Sequence, residues 1–167
     1  MLRPWAEPDA AGLVTAYADP DVQRWHCRSL DLEEVAALIL RWRAAWPAET
    51  GASWAVVDGE DRLLGRAALR DMHLADGVAE IAYWVLPAAR RRGVATAAVA
   101  VLTRWAFEEV GLQRLEIFHS VANTASCAVA TSTGFRPEGT LRASVLHTDG
   151  WHDMHLHARL RNDPDPL

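Results

Sequence analysis

Arg90-Arg91-Arg92-Gly93-Val94-Ala95-Thr96 is the stretch on which the reading of the fold turns. It lies between an apolar run closed by Pro87 and a helix-periodic segment with Val94, Ala98, Val101 and Trp105 on one face, so it joins a strand to a helix start. The first N–H groups of a helix are unpaired and carry the positive end of its dipole. Gly93 lets a ligand approach the main chain, Ala95 and Thr96 keep the first turn open, and three arginines add charge. Together these parts suit a phosphate or pyrophosphate. The plainer alternative is a solvated arginine-rich turn whose glycine serves only the bend. Neither G-x-G-x-x-G nor G-x-x-x-x-G-K-[ST] occurs, which argues against a dinucleotide or nucleoside-triphosphate enzyme.

Working towards the N-terminus, Val78 to Leu86 reads as a strand, preceded by the tip Ala75-Asp76-Gly77. Trp54 to Val57 and Leu63 to Met72 read as strands of a hairpin turning at Asp58-Gly59. Asp31 predicts an N-cap with Glu34 as its capping-box partner. Leu32, Val35, Leu38, Ile39, Trp42 and Trp46 then follow at helical spacing up to Pro47. Leu2 to Ala6 suits a short strand and Asp9 to Ala18 a helix, broken at Asp19-Pro20-Asp21. Towards the C-terminus, a helix over Gly93 to Val110 stops at Gly111, and Leu115 to Val121 is a strand. A helix capped by Asn123 or Thr124 runs to Thr133 and ends at Gly134. Two last strands are expected around Phe135 to Leu141 and Met154 to Leu160, with Gly150 in the turn before the second. This order predicts one mixed α/β domain over residues 1–161 and a frayed tail over 162–167.

Composition sets outer bounds. A chain of 167 residues, 50% hydrophobic, fits one domain with a sizeable core. No apolar run of membrane-spanning length and no signal-like stretch occurs, and two cysteines (Cys27 and Cys127) form no disulfide framework, so a cytoplasmic location is expected. The charge of −5 disfavours nucleic acid as the main partner and suits a cationic acceptor somewhat better. All 17 basic residues are arginine; without lysine, Schiff-base chemistry and a P-loop anchor are excluded.

Arg90-x-x-Gly93-x-Ala95 resembles the Q/R-x-x-G-x-G/A signature of the GNAT superfamily of acetyl-CoA-dependent N-acetyltransferases. Ala79-Glu80-Ile81-Ala82-Tyr83-Trp84-Val85-Leu86-Pro87 is similar to that family's fourth strand. Asn123-x-x-Ser126-x-x-Val129 followed by Gly134-Phe135 is similar to its fifth strand and following helix. The opening Leu2-Arg3-Pro4-Trp5 and the closing Asp153-Met154-His155-Leu156 resemble the branch of ribosomal-protein N-terminal acetyltransferases. The resemblance implies a mostly antiparallel central sheet with splayed fourth and fifth strands, flanked by helices. It implies acetyl-CoA as co-substrate, with pyrophosphate on the turn (Arg90, Arg91, Arg92, Gly93, Val94, Ala95, Thr96). The pantetheine arm would run beside Tyr83, Trp84 and Val85, with Asn123 in contact. It further implies transfer to a primary amine, either a protein N-terminal α-amine or a small molecule. Direct attack in a ternary complex is expected, with Glu80 as base and Ser126 beside the sulfur. The wider family's tyrosine acid falls at Ala130, and a glutamate some members carry falls at Phe118. The competing reading is a catalytically weak acyl-CoA-binding or sensing module, and a homodimer through the final strands is open by resemblance only.

Other candidates carry bland readings. Cys127, activated by His119, could be an acyl-carrying nucleophile but equally a small buried side chain. Glu80 and Ser126 have structural readings too, as an ion pair and as a helix first-turn residue. His147, His152, His155 and His157 include no H-E-x-x-H and no adjoining cysteine motif, so no metal is expected. His155 and His157 would share one strand face. Asp71, His73, Asp76 and Glu80 suggest an acidic acceptor mouth, and Trp25, Trp42 and Trp46 an aromatic acceptor wall.

Overall fold

A computed structural model of the chain describes residues 1–26 and 29–166. Cys27 lies outside the described residues. The N-terminal part comprises β1 (Leu2–Pro4), α1 (Ala10–Ala18), α2 (Pro20–His26) and α3 (Leu32–Ala45). The α3 capping box forms as the spacing predicts. Asp31 accepts the Glu34 N–H and Glu34 accepts the Asp31 N–H, both at 2.9 Å. The break expected at Asp19-Pro20-Asp21 ends α1 at Ala18, where Asp19 turns extended, and Pro20 then opens α2, a helix the spacing does not predict. Pro20 occupies the first helical position, where its missing N–H leaves nothing unsatisfied, and Asp19 accepts the Val22 N–H at 3.0 Å.

The rest is β2 (Ala52–Val57), β3 (Leu63–His73), β4 (Val78–Val85), α4 (Val94–Trp105), β5 (Arg114–Ser120), α5 (Thr124–Ser132), β6 (Arg136–His147) and β7 (Gly150–Leu160). The long helix expected to Val110 widens into a π turn over Ala106–Val110 before Gly111 ends it in the left-handed region at φ 82°. The last hairpin is longer than its apolar pattern suggests. Bulges between Pro137 and Gly139 and between Leu141 and Val145 absorb the irregular spacing. In the second, Ala143 takes φ 45° and its N–H donates to Asp153 at 2.7 Å. Beyond β7, the Arg161 N–H donates to the Gln113 carbonyl and Asp165 pairs back with Arg159 of β7.

The seven strands order as β1-β2-β3-β4-β5-β7-β6, antiparallel at every junction except β4–β5. That parallel pairing lasts three residues, Val78 with Arg114, Ala79 with Leu115 and Glu80 with Glu116. Past Glu80 the strands part, which is the splay the resemblance implies. Two cores cover the two sheet faces. Val99, Leu102 and Phe107 pack with Ile81, Leu115 and Ile117 on the α4–α5 side. Leu13, Tyr17, Val35 and Leu38 pack with Val57 and Trp84 on the other. Each fully buried aliphatic side chain contributes about 1.5–3 kcal/mol. No helix is long and apolar enough to cross a membrane among the described residues.

Candidate active site

The arginine-rich turn closes β4 and opens α4. Gly93 is the N-cap at φ 72°, and a Cβ placed there would meet nothing within 4 Å. The first helical bond runs from Ala97 N–H to the Gly93 carbonyl, leaving the N–H groups of Val94, Ala95 and Thr96 without helical acceptors. Arg91 also takes a left-handed conformation at φ 57°. The side chain of Arg90 is engaged elsewhere. It pairs with Asp19 and Asp21 at 2.6 Å each, and its Nε donates to the Val85 carbonyl at 3.2 Å. It therefore clamps the turn onto the α1–α2 joint, a role that the expectation of cofactor contact did not include.

Where β4 and β5 part, a cleft of about 280 Å³ opens. Strand alternation puts Glu80, Ala82 and Trp84 on one face of β4 and Ile81, Tyr83 and Val85 on the other. The cleft is bordered by both Glu80 and Tyr83, so it reaches through the gap. Glu80 stands opposite Arg70 of β3 in the sheet register and accepts from its guanidinium at 2.5 Å. Burial pushes the Glu80 carboxyl above its usual range against the pull of Arg70, and Asp71 and Glu116 push the same way as burial. Trp84 turns its indole into the core beside Tyr17, so only its main chain can face a ligand.

At the head of α5, the Asn123 side chain caps the helix by accepting the Ser126 N–H at 3.1 Å. The Ser126 hydroxyl lies 2.8 Å from the Tyr83 hydroxyl. Burial raises the Tyr83 phenol to about 12, so it holds its proton at neutral pH. Sequence reasoning assigned Tyr83 only to the strand beside the cofactor. Its odd position on β4, facing α5, is the signal that would have paired it with Ser126. Ala130, where the family's tyrosine falls, is wholly buried.

A second polar chain also went unread in the sequence. Ser120 accepts the Ala122 N–H at 3.1 Å, its hydroxyl lies 2.7 Å from His152 Nδ1, and His152 Nε2 donates to Asp149 at 2.8 Å. Ser120 borders the cleft. Of the three tryptophans expected at the acceptor side, Trp25 borders it, Trp42 packs on Trp5, and Trp46 stacks on Trp105. Asp71, His73 and Asp76 do not border it, whereas Arg70 does. Cys127 lies one residue beyond Ser126, its Sγ 3.9 Å from His157 Nε2.

A sheet parted between two parallel strands, with an anion-suited turn heading the next helix, is an acetyltransferase-type architecture. The acetyltransferase (GNAT) domain family matches residues 1–136, and the chain belongs to that family. Over 101 residues it is 33% identical to the "Putative ribosomal N-acetyltransferase YdaF" of Bacillus subtilis (strain 168), covering 60% of this chain and 55% of that one. The chain thus spans little more than half the length of that relative. Mycobacterium smegmatis RimJ, solved in complex with CoA-disulfide, matches with a TM-score of 0.87 and 27% identity over 95% of this chain and 80% of its own. The spermidine N-acetyltransferase from Vibrio cholerae, solved with CoA and spermine, matches in fold alone, with a TM-score of 0.86 and 16% identity over 96% and 95% of the two chains.

Proposed function

We propose that the chain transfers an acetyl group from acetyl-CoA to a primary amine by direct attack within a ternary complex. The observation that carries this reading is the three-residue β4–β5 pairing. Beyond it the cleft borders a buried carboxylate on one face and a paired serine and tyrosine on the other. The pyrophosphate of acetyl-CoA sits on the main-chain N–H groups from Arg91 to Thr96, and the pantetheine arm runs along Tyr83 to Val85 through the gap. A main-chain N–H near Val85 polarises the thioester carbonyl. Glu80, raised by burial, takes the amine proton, directly or through water. Ser126, backed by the protonated Tyr83, faces the departing thiolate. Holding amine and thioester together supplies much of the rate.

The relatives' activities, ribosomal N-acetyltransferase for one and spermidine N-acetyltransferase for another, support an amine acceptor, either a ribosomal protein or a polyamine. A test follows free thiol released from acetyl-CoA against N-terminal peptides and small amines, with Glu80→Gln alongside. Saturable release that falls in the variant supports the reading. Tight CoA binding without amine-dependent release favours the sensing module instead.

A further inference from the structure

On the α4–α5 side of the sheet, three histidines and a cysteine meet. One ring nitrogen each of His119, His155 and His157 and the Sγ of Cys127 all lie within 4.8 Å of one another. The sheet register brings them together. His155 and His157 share one face of β7, His119 stands directly opposite His155 on β5, and Ile117 stands opposite His157. The first turn of α5 sets Cys127 over this face. No local motif announces the group, because its members come from three elements.

A second observation shows what the group is prepared to hold. His119 is 4% exposed, and its Nε2 has no hydrogen-bond partner. Its Nδ1 lies 2.8 Å from the Ser120 carbonyl. A carbonyl only accepts, so Nδ1 carries the proton and Nε2 presents a bare lone pair to a buried space. His157 is held the same way, Nδ1 against the Phe135 carbonyl at 3.4 Å and Nε2 towards the Cys127 sulfur. Carbonyls that fix the tautomer from behind are the usual outer partners of metal-binding imidazoles.

We propose that His119, His155, His157 and Cys127 bind one divalent ion of the zinc class in a closed tetrahedral site. Three imidazoles and a thiolate suit zinc; magnesium and calcium take oxygen donors. With metal bonds of about 2.0–2.1 Å to nitrogen and about 2.3 Å to sulfur, ligand atoms stand roughly 3.4–3.6 Å apart. The Cys127–His157 distance of 3.9 Å is already close to that, and separations of up to 4.8 Å close by at most roughly 1.2–1.4 Å through side-chain rotation. On binding, the Cys127 S–H bond breaks, an S–metal bond forms, and the proton leaves to solvent. The half-exposed His155 and Cys127 give the ion its way in. With four protein ligands no position stays open for substrate, so the ion acts as a fastener between β5, β7 and the α5 turn that carries Ser126. This site does not depend on the acetyl-transfer reading.

The test uses the reduced, metal-stripped full chain carrying Cys27→Ser, so that Cys127 is the only thiol, titrated with Co²⁺. Uptake of one equivalent is expected, with the visible bands of a tetrahedral ion and a thiolate charge-transfer band, both abolished by stoichiometric Zn²⁺. In the same background, Cys127→Ser removes the charge-transfer band. His155→Ala, at a half-exposed position that a fold tolerates, weakens affinity by about 100-fold or more, since even outer partners are worth 10–100-fold. Zn²⁺ should also raise the unfolding temperature of the starting chain, and raise that of His155→Ala distinctly less at the same concentration, a readout that serves if Cys127→Ser does not fold. Uptake that fails to saturate at one equivalent, octahedral spectra, or a charge-transfer band that survives Cys127→Ser would each overturn the proposal.

Discussion

Gly93 and Gly111 make a matched pair at opposite ends of one helical stretch. Both are left-handed, at φ 72° and φ 82°, and in neither would a Cβ meet anything within 4 Å. Alanine at either position therefore bears the same backbone penalty, about 1–2 kcal/mol. Restricting the unfolded chain returns about 0.4–1 kcal/mol. The net loss of roughly 0.5–1 kcal/mol lowers the unfolding temperature by about 1–4 °C, nearly equally in the two variants. Only at Gly93 does the new methyl project into the space that the pyrophosphate is proposed to fill. Displacing a charged oxygen from one main-chain donor loses about 1.5–3 kcal/mol. CoA affinity should therefore fall about 10–100-fold in Gly93→Ala and stay unchanged in Gly111→Ala. Calorimetric titration with CoA, beside thermal unfolding, reads both quantities. Equal CoA affinity in the two variants would refute the assignment of the turn as the anion site.

Glu80→Gln should lower kcat by about 10²–10⁴ while sparing CoA affinity, measured by thiol release and calorimetry. Because burial raises the folded carboxyl above its unfolded value, ionised Glu80 costs the fold nothing at low pH. The cost appears as pH climbs through the ordinary carboxylate range and is complete above the raised value. Glu80→Gln should accordingly be relatively more stable than the parent at neutral pH than at pH 3, by denaturant unfolding; an unchanged difference would argue against the raised carboxyl. Tyr83→Phe removes the partner of the Ser126 hydroxyl, worth about 1 kcal/mol, and should lower kcat several-fold with little change in KM for acetyl-CoA. Asp31→Ala breaks the α3 capping box and should reduce stability by about 1 kcal/mol in urea unfolding without altering CoA affinity.

What could be read along the chain was local. The Asp31–Glu34 box, the Asp58-Gly59 turn and the Gly111 stop each depend on residues within a few positions, and all three stand where the spacing puts them. Pro20 shows the limit of such reading, since the break before it was legible while the helix it opens, capped by Asp19, was not. The site was legible as a segment and not as contacts. Arg90 meets acidic residues about seventy positions away. Tyr83 meets Ser126 across 43 positions. The histidines converge through the β5–β7 register. Such partners are set by how helices, turns and strands pack across the fold, which periodicity does not specify.

The brief meeting of β4 and β5 has a consequence in exchange behaviour. From Ile81 to Val85, β4 is bonded to β3 on one side only, so about every second amide there faces the open gap. In the free chain those amides should trade hydrogen with solvent far faster than their neighbours in the same strand. A ligand arm laid along them would act as an eighth strand, turning a ragged seam into a continuous ladder. An alternating pattern of slow and fast amides along β4, levelled by co-substrate, is the signature of a sheet that its ligand finishes.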